Sequence, residues 1–233
     1  MLRLSKKAEY ALMALKDLAL RPAAEAGSAR EIAEPCHRDA AQRQRRREQR
    51  DLVHLGEVPP HLIAAILATE DRRFESHHGI DFRRVGGALV ANLRAGGIRQ
   101  GGSTLTQQLV KNFFLTPERT LSRKVQEAAM ALLVEYRYTK GAILEAYLNE
   151  IYLGQRGATQ VHGVGEASRL YFGKRAQDLT VAEAALLAAI IRSPNRTSPY
   201  RHPESATERR DLVLRLMEDQ GYLSEQERES ARD

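Results

Sequence analysis

Apolar residues recur at helical spacing from Leu52 to about Leu223. The pattern predicts helices over 60–73, 83–95, 104–114, 119–136, 140–149, 164–170, 179–192, 204–220 and 224–231. Few stretches alternate as strands do; Ile151–Leu153 and Thr159–His162 are the candidates for a short hairpin. Ahead of this region, Ser5 to Leu20 reads as an amphipathic helix. A loop with Pro22 and Gly27 follows, then a second helix start in which Ser28 and Glu31 form a capping box. Between the two regions runs an Arg-dominated stretch, Arg43 to Arg50, with almost no apolar residue to bury. The organisation expected is an N-terminal segment over 1–34, a basic linker over 35–51 and one main domain over 52–233. That domain is mainly α with a small β element. Gly96, Gly97, Gly101 and Gly102 bracket a mobile loop in it.

Two polar clusters interrupt the helical pattern. The first, Glu70-Asp71-Arg72-Arg73-Phe74-Glu75-Ser76-His77-His78-Gly79, follows the apolar run from Leu62 to Thr69. A carboxylate half-buried at such a helix end has its pKa raised by desolvation and can serve as a general acid or base. The bland reading is a helix-end Glu paired with Arg72 or Arg73, and a structural role for His77 and His78. The second cluster runs from Gly101-Gly102-Ser103-Thr104 through Gln107 and Gln108 to Lys111 and Asn112. Backbone N–H groups and two hydroxyls at a helix start suit an anionic oxygen, and Gln108 and Lys111 share a face one turn apart. Here the bland reading is an N-capped surface helix. Arg123, Lys124 and Glu127 supply cations and a second carboxylate, or merely a surface ion pair between Arg123 and Glu127. Glu145 and Asn149 share a face opposite Ile143, Leu144 and Leu148. Thr180 and Glu183 read as a capping box on a scaffold helix.

Composition narrows the partners. The 233 residues carry a net charge of +6, which favours an anionic partner such as nucleic acid, acidic lipid or a phosphate-bearing substrate over a merely basic surface. Trp is absent, which argues against a sugar platform of stacked indoles. Cys36 is the only cysteine, so neither an intrachain disulfide nor a four-thiolate metal site can form. No apolar stretch reaches the ~20 residues that span a bilayer, and the first residues do not read as a secretory signal.

Four motifs stand in order: Glu70-Asp71-x-x-Phe74-x-x-His77-x-Gly79, Gly101-x-Ser103-Thr104-x-x-Gln107-Gln108, Arg123-Lys124-x-x-Glu127 and Ile143-Leu144-Glu145-x-Tyr147-Leu148-Asn149. With them, residues 52–223 resemble glycosyltransferase family 51, the peptidoglycan glycosyltransferase domains of class A penicillin-binding proteins and their monofunctional relatives. Tyr147 to Lys174 is most similar to the 1b branch, and Arg192-Ser193-Pro194-Asn195 also looks like the family. The resemblance implies a lysozyme-like fold and the polymerisation of lipid II onto a lipid-linked glycan strand, with release of undecaprenyl pyrophosphate. It implies Glu70 as the general base on the acceptor 4-hydroxyl. Glu127 would be the second essential carboxylate and the possible ligand of a divalent metal ion, Mg2+ or Mn2+. Lys111, Arg123 and Lys124 match positions that stabilise pyrophosphate charge. Ser103, Thr104, Gln107, Gln108 and Asn112 match substrate-contacting positions. Asp71, Phe74 and His77 shape the base, while Glu145, Tyr147 and Asn149 support the site. The setting it implies is the periplasmic face of the inner membrane, with a membrane surface and other cell-wall synthesis proteins as partners and no nucleic acid.

The chain shows neither the family's membrane anchor nor a transpeptidase domain after residue 223. Residues 1–34 instead resemble the start of an Rrf-type winged-helix repressor, a junction that reads as an artefact of gene assembly. Two other functions stand beside the glycosyltransferase. A lysozyme-like glycan-cleaving enzyme accounts for the carboxylates but not for Lys111, Arg123 and Lys124. A DNA-binding regulator lacks a complete reading head.

Overall fold

The computed structural model describes residues 51–96, 101–114, 121–156 and 159–232. The helix read at Ser5 to Leu20, the Ser28–Glu31 box, the basic run Arg43 to Arg50 and the centre of the glycine loop lie outside the described residues. In chain order the elements are α1 (Pro60–Glu70), α2 (Phe82–Arg94), α3 (Leu105–Phe114), α4 (Leu121–Arg137), α5 (Lys140–Glu150), β1 (Tyr152–Arg156), β2 (Thr159–His162), α6 (Val164–Phe172), α7 (Val181–Ile191), α8 (Pro203–Asp219) and α9 (Glu225–Ser230). The fold is mainly α with one small antiparallel sheet, as the hydrophobic pattern predicts. No helix among the described residues is long and apolar enough to cross a membrane.

The described chain divides into two compact units, residues 73–147 and residues 51–72 with 148–232. In the second unit α1, α7 and α8 pack against one another. Helix α7 buries Ala184, Ala185, Leu187, Ala188, Ala189, Ile190 and Ile191, so it is apolar on nearly all sides. A helix of that kind is stable only where neighbours surround it. Its alanines favour the helix and let those neighbours approach closely. The expected capping box opens it: the Thr180 hydroxyl accepts from Glu183 N–H at 3.3 Å, and the Glu183 carboxylate accepts from Thr180 N–H at 2.8 Å. The pair β1–β2 is longer than predicted, because Gln155 and Arg156 join the ladder without any apolar alternation to announce them. Asn149 accepts from Val53 N–H at 2.9 Å and donates to the Val53 carbonyl at 2.8 Å, fixing the chain's entry into this unit.

Helix α1 ends at Glu70, three residues before the predicted end at 73. The Asp71 N–H still donates to the Leu67 carbonyl at 3.0 Å, but its ψ of 75° takes the chain out of the helix. The next large apolar residue, Phe74, is 1% exposed, and its burial overrides the helical tendency of the charged run before it.

In the first unit α3 packs on α4. Leu105, Leu109 and Val110 are buried, as are Met130, Ala131 and Val134 with Ile143, Leu144 and Tyr147. Helix α2 opens on Asp81, whose carboxylate accepts from Arg84 N–H at 2.9 Å and from Arg73 Nε at 2.9 Å. Burial by itself would raise the Asp81 pKa, but the Arg73 and Arg84 hydrogen bonds outweigh it and hold the carboxyl below its ordinary value.

Two stability predictions follow from these contacts. Asn149→Ala strands both Val53 backbone groups and is expected to cost about 1–3 kcal/mol in denaturant unfolding. Asp81 is stabilising when ionised, and that contribution is lost as pH falls through its lowered folded-state pKa. Asp81→Asn should therefore lower the melting temperature at about pH 7, and its gap to the wild type should close below about pH 4.

Candidate active site

The Phe74–Gly79 turn is held by contacts that run almost entirely through its backbone and one ring. Phe74 meets His77 edge-on, at 6.2 Å between centroids and 81° between planes. Lys140 Nζ lies 4.3 Å from the centre of the Phe74 ring and donates to the His77 carbonyl at 2.6 Å. Gly79 has φ of +84°, and a Cβ there would meet the Ala131 carbonyl carbon and oxygen on α4 at 2.8 Å. Only glycine allows both that conformation and that approach. The Thr104 hydroxyl donates to the Gly79 carbonyl at 2.6 Å, tying the turn to the start of α3.

Helix α3 begins differently from the expectation of open N–H groups and free hydroxyls. Thr104 and Gln107 form a reciprocal capping box: Gln107 Oε1 accepts from Thr104 N–H at 3.0 Å, and the Thr104 hydroxyl accepts from Gln107 N–H at 3.2 Å. Thr104 is 0% and Gln107 4% exposed, so both side chains are spent on the helix and the turn. Past the cap, the helix presents Gln108, Lys111 and Asn112. Gln108 Oε1 accepts from the Tyr147 hydroxyl at 3.4 Å, while Lys111 and Asn112 are exposed.

Ser103, Lys124 and Glu127 come together. Lys124 Nζ donates to Ser103 Oγ at 2.9 Å and to Glu127 Oε1 at 2.5 Å. Glu127 is buried while the Lys124 side chain is half exposed. Arg123 precedes this pair in α4 and is partly exposed, as is Glu145 in α5.

Glu70 and Asp71 belong to the other unit and are both buried, at 8% and 1% exposed. The same unit holds a cationic cleft of about 200 Å³ lined by Arg192, Ser193, Arg196, Thr197, Ser205 and Arg209. Burial lowers the Arg209 pKa, as does the charge of Arg192, and the negative field of Glu70 offsets them in part. The buried Nε of Arg209 has no hydrogen-bond partner. Arg209 was absent from the sequence reading because Glu208-Arg209-Arg210 looks like a solvated helix face. Its signal was positional: three residues after buried Ala206 and four before buried Val213, it occupies the apolar side of α8. Asn149 acts on the backbone of Val53, a supporting contact.

The sequence pattern of the Transglycosylase family matches residues 37–218. Penicillin-binding protein 1B of Vibrio cholerae is 52% identical over 184 residues, which are 79% of this chain and 24% of that protein. Penicillin-binding protein 1B of Haemophilus influenzae is 51% identical over 170 residues, 73% of this chain and 22% of that protein. Penicillin-binding protein 1A of Aquifex aeolicus is 48% identical over 184 residues, 79% of this chain and 25% of that protein. The chain thus spans about a quarter of the length of these curated relatives. The crystal structure of penicillin-binding protein 1A from Haemophilus influenzae aligns with a TM-score of 0.47 at 27% identity, covering 79% of this chain and 17% of that one. With its four motifs in order and the family pattern running through most of its length, the chain belongs to the transglycosylase family, glycosyltransferase family 51.

Proposed function

We propose that this chain polymerises lipid II into β-1,4-linked glycan, with Glu70 as the general base. The observation that carries the reading is the Ser103–Lys124–Glu127 cluster, a buried carboxylate held by a half-exposed ammonium. A lysine has three N–H donors, and Lys124 uses two of them here, leaving one for an oxygen of the departing pyrophosphate. Lys111 and Arg123 add charge to the same leaving group. A glycan-cleaving enzyme has no such group to neutralise. Glu70 takes the proton of the acceptor 4-hydroxyl, that oxygen attacks the donor's anomeric carbon with inversion, and the lipid pyrophosphate carries off the bonding pair.

Among the described residues no three His, Cys, Asp or Glu side chains cluster into a metal cage. A divalent cation would take Glu127, the carboxylate that the family resemblance assigns to it, as its protein ligand, with the substrate's pyrophosphate and water completing the shell. That donor set suits Mg2+, which binds through one or two carboxylates plus phosphates. The bound ion would neutralise pyrophosphate charge. A lipid-linked substrate also places the work at a membrane surface, with the periplasmic face and other cell-wall synthesis proteins as its setting. Helix α2 suits that surface: Phe82 and Leu93 are 76% and 73% exposed, beside Arg83 and Arg94.

Glu70→Gln keeps the shape of the side chain and removes the base. It is expected to lower lipid II polymerisation by at least about 100-fold with an unchanged melting temperature. Gel analysis of the products separates the two chemistries. Glycan built from lipid II supports the reading, whereas cleavage of finished glycan, or near wild-type polymerisation by Glu70→Gln, overturns it.

A further inference from the structure

We infer that Glu135 and Lys140 are positioning residues, a part-buried ion pair that holds the Phe74–Gly79 turn and the start of α3 in one fixed arrangement. Lys140 Nζ lies 2.8 Å from Glu135 Oε2, and the two side chains are 19% and 3% exposed. The pair reaches outward at both ends. Lys140 donates to the His77 carbonyl at 2.6 Å and lies over the Phe74 ring, while Glu135 Oε1 accepts from the Thr106 hydroxyl at 2.5 Å. One ammonium and one carboxylate, placed where α4 gives way to α5, therefore grip the first and second motifs together.

Helix stability does not account for this choice of residues. Glu135 sits in the last turn of α4 and Lys140 is the first residue of α5. Each charge is thus at the end of its helix that the macrodipole disfavours. Nor does burial account for it, since a well-packed apolar pair is generally as stable as a buried ion pair. What an apolar pair cannot do is direct hydrogen bonds. The carbonyl of His77 and the hydroxyl of Thr106 each need a partner at a set distance and angle, and these two side chains supply both. Helix α3 carries Gln108 and Lys111, so fixing its start fixes groups assigned to substrate. This step rests on the function proposed above.

The test uses the full chain with both charges removed at once, Glu135→Leu with Lys140→Met, which strands no buried charge. We expect a melting temperature within a few degrees of wild type, faster amide hydrogen exchange at residues 74–79 and 104–108, and a kcat for lipid II polymerisation at least about tenfold lower with KM changed less than about threefold. A purely structural pair would let activity and exchange return together with stability in this double variant, and that result overturns the inference. If the double variant does not fold, Thr106→Val decides, because it keeps the ion pair and cuts one link. A several-fold lower kcat supports positioning, and wild-type kcat overturns it. A wild-type chain that makes no glycan from lipid II would remove the proposed function, and hydrogen exchange alone would then decide the positioning.

Discussion

The carbonyls of His77 and Gly79 and the carboxylate of Asp81, which the Phe74–Asp81 turn takes out of water, all find partners within their own unit. Phe74 anchors the turn: its ring is buried, as are His77, Gly79 and Asp81, while Glu75, Ser76 and His78 between them stay exposed. An unpaired buried carbonyl costs on the order of 1–3 kcal/mol, a large share of a domain's net stability. The answers lie close together. The His77 carbonyl takes Lys140, the Gly79 carbonyl takes the Thr104 hydroxyl, and the Asp81 carboxylate takes Arg73 and the Arg84 N–H. Three segments distant in sequence are thereby fixed relative to one another, and the residues assigned to substrate ride on them.

The same accounting explains which parts of the site could be read from the chain. Thr180 and Glu183 stand at capping-box spacing before an apolar run, and periodicity alone places α7 behind them. Thr104 and Gln107 have the same spacing, yet the preceding Gly101-Gly102-Ser103 suggested an anion site and hid the cap. The apolar run puts Glu70 at a helix end, whereas the predicted helical span runs on to residue 73, because charged residues are permitted in a helix and only the burial of Phe74 pulls the chain away. The pairing of Glu135 with Lys140 was invisible for another reason: the two lie either side of a helix break, where neither helical nor strand periodicity relates them. Arg209 was hidden by its neighbours' charge, although its place among Ala206 and Val213 marked it as a buried position.

Glu70, the base in the function proposed above, is a buried carboxylate in whose field a half-buried arginine lies. Arg209, half-buried and pressed by Arg192, lies in the negative field of Glu70 within this unit. An arginine serves there better than a lysine, because its guanidinium stays protonated even where burial lowers its pKa.

Glu127 meets the opposite difficulty. It is buried almost completely, and its assigned work lies beside a substrate that is itself an anion. Two negative groups brought together in a low-dielectric place repel strongly, so a bare Glu127 would work against binding. Lys124 resolves this, since its ammonium holds the carboxylate at one side and Ser103 at another while half of its side chain remains in solvent. In the function proposed above, a pyrophosphate oxygen meets an ammonium already in place with an N–H still to donate. On that proposal, the ion pair within the protein is the device that lets an acidic residue and an acidic substrate share one site.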